Sequence, residues 1–249
     1  IRDRSPSRGL GDVYKRQGQE IKIVDIHAHC VFREVADVIA GTAFDRQFPD
    51  WYVLGDFRME AMDERGIDVA ALSVNNYWWY GADEDLASQI VRIHDEAMAT
   101  WCEAHPDRFV ALTSPALQHP DLATEQVEYA INELGARGVS VGGTVLGEAN
   151  SIAKYDPFWA KVEELEVPVF MHPTDSGYLF REGGLPERGG QANILGNPFE
   201  TTFFLSNLIF NGTLDRFPGL RVCGAQGGAI SRLISVVRIS LASVLIRTA

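Results

Sequence analysis

Cysteine is scarce in this sequence, and the few cysteines that occur do not pair. The 249 residues contain three, Cys30, Cys102 and Cys223, which lie far apart and form no Cys-x-x-Cys motif. The sequence also lacks a secretory signal and any long apolar span. The simplest interpretation is a reducing, cytoplasmic setting without a membrane partner.

Positive charge is also in short supply. Lysine and arginine number 22 against 34 aspartates and glutamates, so the formal net charge is -12. An acidic chain disfavours nucleic acids and anionic membranes as partners, although a local basic pocket for a small carboxylate substrate is still compatible with it. No Gly-x-Gly-x-x-Gly or P-loop motif is present, so nucleotide binding is unsupported.

The composition that is present suits one α/β domain. The apolar fraction of 46% and the charged fraction of 22% are ordinary for a globular chain with a sizeable core. Residues 1–20 are predicted to be a non-native or disordered leader, because residues 1–17 carry five basic and two acidic side chains without an apolar period. A basic targeting arm is the competing interpretation, and the lack of a hydrophobic region argues against it. The predicted domain covers residues 21–249, and its apolar, weakly patterned end suggests a chain that stops before the fold is complete.

The domain opens with a β-branched run that ends in two histidines, His27 and His29. Residues 21–26 favour a buried strand, and no helical period runs through them. Positions two apart point to one face of a strand, so both imidazoles, together with Asp25, are expected on the same face. That arrangement suits a divalent metal, most plausibly zinc. Two histidines that only hydrogen-bond to loop backbone are the alternative.

Strand-like and helix-like segments then alternate along the chain. Further strands are predicted at residues 67–74, 109–112, 138–142, 167–171 and 220–223, and helices at 57–65, 85–103, 121–134, 198–211 and from Asp156, the expected N-cap. Repeated β-then-α units favour a parallel sheet with right-handed crossovers. The polar candidates follow the carboxyl ends of strands, so the prediction is an α/β fold of the TIM (β/α)8 type, with about six units present.

Further candidate site residues lie at the ends of these strands. His172 follows the fifth strand, where a hydrogen-bonded histidine at the edge of the core is the alternative to a metal ligand. Tyr77 and Trp78 begin an aromatic run that could wall a substrate pocket or pack on the barrel rim. Three arginines could pair with a substrate carboxylate, although solvated surface charges are the more ordinary interpretation: Arg58, Arg181 and Arg188.

Several of these segments, in collinear order, resemble the amidohydrolase-related family, and within it the branch of aminocarboxymuconate semialdehyde decarboxylase. The resemblance spans residues 21–240. The matching motifs are Asp-Ile-His-Ala-His at 25–29, Met-Asp-Glu-Arg-Gly-Ile-Asp at 62–68, Asp-Arg-Phe-Val at 107–110, Phe-Met-His-Pro at 170–173, Pro-Phe-Glu-Thr-Thr at 198–202, Arg-Phe-Pro-Gly-Leu at 216–220 and Gly-Gly at 227–228.

The resemblance implies a (β/α)8 barrel that holds one divalent metal, usually zinc. His27, His29 and His172 are the ligands that it implies, and the family's aspartate after the eighth strand has no counterpart in this sequence. The implied activity is non-oxidative decarboxylation of a small aromatic or muconate-type acid, a carbon–carbon lyase reaction. A homodimer is also implied, since members of the family are often dimers.

One position departs from the family pattern. Gln226 stands where the family has the histidine that handles protons beside the metal. A carboxamide can position a water or a substrate but cannot exchange a proton near neutral pH. General acid–base assistance is worth ~10²–10⁴ in rate, so its loss leaves an inactive fragment or metal-binding protein as one alternative. A metal-dependent hydrolase of an amide or lactone is the other, since it would use the same three histidines.

Overall fold

A single parallel sheet organises the protein. The computed structural model describes residues 22–74, 78–174 and 192–225, together with two two-residue strands, Lys15–Arg16 and Gln19–Glu20, which pair antiparallel within the predicted leader. Six strands form the main sheet: β1 (Val24–His29), β2 (Val69–Ser73), β3 (Phe109–Thr113), β4 (Gly138–Gly142), β5 (Pro168–His172) and β6 (Arg221–Gly224). They lie in sequence order and every neighbouring pair is parallel, as the alternating pattern predicted.

Helices connect the strands. They are α1 (Val35–Ile39), α2 (Phe57–Arg65), α3 (Glu84–Ala104), α4 (Pro120–Asn132), α5 (Asp156–Glu164), α6 (Asn197–Phe210) and α7 (Thr213–Arg216). For the five longer helices, every predicted end lies within two residues of the observed end. The two short ones, α1 and α7, were not predicted, because four- and five-residue helices are too short for a periodic signal.

Local capping chemistry explains where α3 begins and where α2 ends. The Asp83 side chain accepts the backbone N–H of Leu86 (2.9 Å) and caps α3. Gly66 ends α2 in the left-handed conformation with φ 66°. The predicted N-cap at Asp156 is wrong: a 3₁₀ turn over Ala153–Tyr155 leads directly into α5, so Asp156 is already helical, and its carboxylate accepts a 2.8 Å hydrogen bond from Arg216 instead.

The core has an outer and an inner layer. Outside the sheet, buried side chains such as Leu72, Val139 and Met171 pack in the clusters that the surrounding helices complete. On the opposite face, Leu112 and Phe170 pack with Ala71 and Ala225 from other strands. Strands covered on both faces explain why the sequence shows short continuous apolar runs rather than clean alternation.

Two further findings concern the cysteines and the hydropathy of the helices. The three cysteines are free thiols. Among the described residues, none of the helices has the length and hydropathy needed to cross a membrane.

Candidate metal centre

Three histidine rings meet at the carboxyl ends of β1 and β5. The ring centroids of His27, His29 and His172 are 4.7, 4.7 and 4.8 Å apart, and the ring planes are mutually close to perpendicular, at 85° to 89°. One ring nitrogen from each lies within 4.8 Å of the others. The structure therefore brings together all three residues that were predicted as ligands, from two strands that are not neighbours in the sheet.

The end of β1 is less regular than the sequence suggested. Asp25 pairs with Ala70 and Ala28 with Leu72, so three steps along β1 match two along β2 and a bulge lies between them. Ala28 accordingly packs in the outer layer while Ile26 packs in the inner one. The expectation that Asp25 alternates onto the face of the two histidines is wrong, because strict alternation does not hold across a bulge. The Asp25 carboxylate instead accepts the backbone N–H of His27 (3.0 Å).

The ring of His172 is oriented by its own turn. Its Nδ1 lies 2.7 Å from the backbone oxygen of Pro173, which can only accept, so Nδ1 carries the proton and Nε2 is left with a lone pair. The same oxygen accepts a 3.4 Å bond from the indole Nε1 of Trp78. The Trp78 ring is half-buried, stacks on Tyr80 at 5.4 Å, and lies 6.4 Å from the His172 ring. Trp78 thus borders the centre, and its role as a wall of a substrate pocket stays a prediction.

All three histidines are held in the neutral form. Burial first, and then the nearby His172, His27 and Arg58, lower the pKa of His29 to about 3. Burial followed by the charge of His27 lowers the pKa of His172 to about 4. Burial also lowers the pKa of His27, against the opposing effect of Asp25. Neutral imidazole is the form that binds metal ions.

Contacts around His29 involve Tyr52, which the sequence did not single out, and Arg58, which it did. Tyr52, which is buried, stacks on the His29 ring at a centroid distance of 6.1 Å. Nη2 of Arg58 donates to the backbone oxygen of His29 (2.7 Å), so the interpretation of this half-buried arginine as a solvated surface charge is wrong. A cavity of about 320 Å³ opens beside these residues and is lined by both His27 and His29.

The donor set fits a divalent cation. Three neutral nitrogens are a common protein contribution to a tetrahedral site with one open position. Nδ1 of His29 is buried and has no hydrogen-bond partner among the described atoms, as expected for a nitrogen that awaits a ligand.

The remaining predicted site residues fall outside the part of the chain that the structure describes. They are Tyr77, Gln226, Arg181 and Arg188. A cavity of about 700 Å³, larger than the one beside the histidines, lies elsewhere, between α3 and α4, and none of the three histidines lines it.

Comparisons with known proteins agree with this geometry. The model of the amidohydrolase family matches residues 24–235. A relative, gamma-resorcylate decarboxylase of Rhodococcus jostii (strain RHA1), is 32% identical over 214 residues, which are 80% of this chain and 64% of the relative. The 2-amino-3-carboxymuconate-6-semialdehyde decarboxylase of Dictyostelium discoideum is 27% identical over 174 residues, covering 70% of this chain and 47% of that protein. The predicted family resemblance, including the decarboxylase branch, is confirmed.

A solved structure supports the fold. The crystal structure of a dihydroxybenzoic acid decarboxylase from Polaromonas sp. JS666, with bound manganese and the inhibitor 2-nitroresorcinol, is 25% identical to this chain with a TM-score of 0.63. The match covers 82% of this chain and 65% of that one. The predicted barrel-type α/β fold is confirmed, and the chain spans about two thirds or less of the length of these relatives.

Proposed function

Because the chain belongs to the amidohydrolase family, we propose that the protein is a metal-dependent, non-oxidative decarboxylase of aromatic carboxylic acids. The observation that carries the proposal is the convergence of His27, His29 and His172, with one nitrogen from each within 4.8 Å of the others. The proposal is supported by the decarboxylase relatives, whose names identify resorcylate and aminocarboxymuconate semialdehyde as their substrates.

In this proposal the three histidines hold one divalent ion, zinc or manganese. Neutral imidazole suits zinc, and the Polaromonas decarboxylase contains manganese. When bound, the ion supplies a Lewis acid that holds substrate oxygens and stabilises negative charge as it develops. The chain's own contribution is to keep the ligands neutral by burial and to fix their ring orientation.

The surroundings favour an aromatic acid as the substrate. The half-buried indole of Trp78, already stacked on Tyr80, borders the triad and offers π-surface to a ring. The guanidinium of Arg58, which lines the cavity with His27 and His29, adds positive charge that attracts a carboxylate. A hydroxybenzoate such as 2,6-dihydroxybenzoate has both an aromatic ring and a carboxylate, which these two side chains suit.

The reaction needs no redox cofactor. The bond between the ring carbon and the carboxylate breaks, carbon dioxide leaves, and a proton takes its place on the ring. Gln226 is proposed to position substrate or water through hydrogen bonds rather than to transfer that proton, because a carboxamide does not titrate near pH 7. The homodimer and the cytoplasmic location stay predictions.

The test combines metal content with product analysis. Wild type, His172→Ala and, as a matched control, His105→Ala are loaded with manganese or zinc and incubated with 2,6-dihydroxybenzoate. His105 is a suitable control because it ends α3 and packs on Trp101 and Phe109, away from the triad. We expect about one ion per chain and equimolar resorcinol and carbon dioxide in wild type and His105→Ala, with both lost in His172→Ala.

Other results would redirect the assignment. Cleavage of an amide or lactone to a new carboxylate, without release of carbon dioxide, would favour the hydrolase alternative. One bound ion with no turnover of any aromatic acid would favour the inert metal-binding alternative. A protein that binds no ion at all, in the presence of an intact fold, would refute the metal centre.

A further inference from the structure

We propose that Glu200 is a positioning residue for the metal centre, which acts through Thr174 on the turn that orients His172. The inference rests on the proposed function, because it concerns the ligand geometry of the same site. Glu200 lies on α6, in a different element from any of the three histidines. Glu200 would therefore act from α6 on the residues that directly follow β5.

Glu200 is an unusually placed carboxylate. It has no exposed surface, and its Oε1 accepts two hydrogen bonds from one residue, the backbone N–H of Thr174 at 2.8 Å and the Thr174 hydroxyl at 2.7 Å. A carboxylate is costly to bury unless such donors compensate it. These features keep the carboxylate fixed against Thr174.

The contact between Glu200 and Thr174 has space because β4 ends at Gly142 and Gly143 follows it. A Cβ built on Gly143 would lie 2.3 Å from Oε1 of Glu200, and a Cβ on Gly142 would lie 2.2 Å from Cγ2 of Thr174. Neither distance is compatible with a side chain. Gly142 is also the register partner of His172 across β4 and β5. The end of β4 is therefore shaped to let Glu200 and Thr174 approach the strand that carries His172.

The contact is transmitted to the ring through one peptide unit. Thr174 is bonded directly to Pro173, whose carbonyl oxygen accepts the Nδ1 proton of His172 (2.7 Å) and thereby fixes the orientation of that ring beside the other two. If Thr174 loses its anchor, the Pro173 carbonyl is held less firmly, because the 3.4 Å bond from Trp78 is weaker than the two bonds that Glu200 makes to Thr174. The orienting hydrogen bond to His172 then weakens. Partners of this kind, one step behind a metal ligand, typically change metal affinity by ~10–100-fold when removed.

A purely structural role for Glu200 predicts a different result. In that case its replacement lowers the stability of the fold but leaves the metal affinity and the ligand field of the folded protein unchanged. Cobalt(II) separates the two roles, because its visible absorption depends on the geometry of its ligands. The readout is thus independent of catalytic turnover.

The experiment titrates cobalt(II) into wild type, Glu200→Gln, Glu200→Ala and Thr174→Val, against a chelator of known affinity. Glu163→Gln is the matched control, since Glu163 also accepts a backbone N–H, that of Gly219, but at the other end of the barrel. Far-UV circular dichroism confirms that each variant is folded at the titration temperature. Thr174→Val and Glu200→Gln keep the test decisive if Glu200→Ala does not fold.

We expect cobalt affinity to fall ~10–100-fold in Glu200→Ala, with a changed visible spectrum. Thr174→Val and Glu200→Gln should show smaller losses in the same direction, because each retains part of the hydrogen bonding. Glu163→Gln should match wild type. Wild-type affinity and spectrum in folded Glu200→Gln and Thr174→Val would overturn the positioning role alone. Failure of wild type itself to bind cobalt would overturn the metal centre, and this inference with it.

Discussion

Replacing Asp95 with asparagine should change how the stability of the protein depends on pH. Asp95 lies on α3 and is 6% exposed. Its Oδ2 accepts the hydroxyl of Thr113 at 2.7 Å, whereas Oδ1 has no hydrogen-bond partner among the described atoms. Burial raises the pKa of this carboxyl from 3.8 to about 7, against the opposing effect of the Thr113 hydrogen bond.

The sign and the size of the effect follow from proton linkage. Between about pH 4 and pH 7 the folded state holds a proton that the unfolded state has released. The contribution of Asp95 to the free energy of unfolding therefore falls as the pH rises through this window, by on the order of 4 kcal/mol in total, and is constant above it. Asparagine has no proton to lose, so the variant lacks this slope. At pH 8 it should be more stable than wild type by about 1–3 kcal/mol, since an unpaired amide N–H offsets part of the gain.

Urea unfolding followed by far-UV circular dichroism at pH 5, 6, 7 and 8 measures both the pH dependence of stability and the difference between the two proteins at pH 8. Glu103→Gln serves as the control, because it removes an exposed carboxylate from the same helix. Its pH dependence should follow that of wild type. The buried histidines, whose pKa values are lowered, contribute the same opposite slope to both proteins, so the difference between wild type and Asp95→Asn isolates Asp95. An equal pH dependence in wild type and Asp95→Asn would refute the assignment of a protonated carboxyl at this position.

Two packing predictions can be checked by thermal unfolding. Gly142→Ala should lower the free energy of unfolding by about 1–3 kcal/mol, because the new Cβ would lie 2.2 Å from Cγ2 of Thr174. Gly55→Ala should be close to neutral, because its Cβ would meet nothing nearer than a ring carbon of Phe57 at 3.4 Å. Equal unfolding midpoints for the two variants would contradict the close approach of Thr174 to Gly142. On α6, Leu208→Ala should lower the free energy of unfolding by about 2–5 kcal/mol and Phe203→Ala by about 1 kcal/mol. The reason is that Leu208 is fully buried whereas Phe203 is 44% exposed. A larger loss of stability in Phe203→Ala than in Leu208→Ala would contradict the inward face assigned to this helix.

The elements that were predicted well are those whose signals are local. The amphipathic period and the capping Asp83 define α3, and Gly66 ends α2, with interactions that span only a few residues. Short apolar runs bounded by glycine or proline define the strands in the same way, and β4 has the predicted bounds. The parallel order then follows from the alternation of strands and helices, because such connections are nearly always right-handed.

The parts that were missed depend on distant partners. The bulge in β1 exists only in its register with β2, so residues 25–29 alone cannot reveal it. Arg58 has the sequence context of a surface helix residue, and only the folded chain brings its guanidinium to the carbonyl of His29. The two donors that Thr174 offers to Glu200 come from another element as well. Buried polar partners of this kind carry no periodic signal.

The histidine triad itself reports how strongly the sheet is curved. β1 and β5 are separated by four strand spacings, since the strands lie in sequence order. In a flat sheet this separation would be about 19 Å, from a spacing of ~4.8 Å per strand. The His29 and His172 rings are nevertheless 4.8 Å apart, so the sheet must bring strands four positions apart to face each other. Strands four apart are diametrically opposite in a barrel of eight, whose interior is just wide enough for side chains to fill it. The curvature of the described strands is therefore that of an eight-stranded barrel, and the metal centre depends on that curvature as much as on the three histidines.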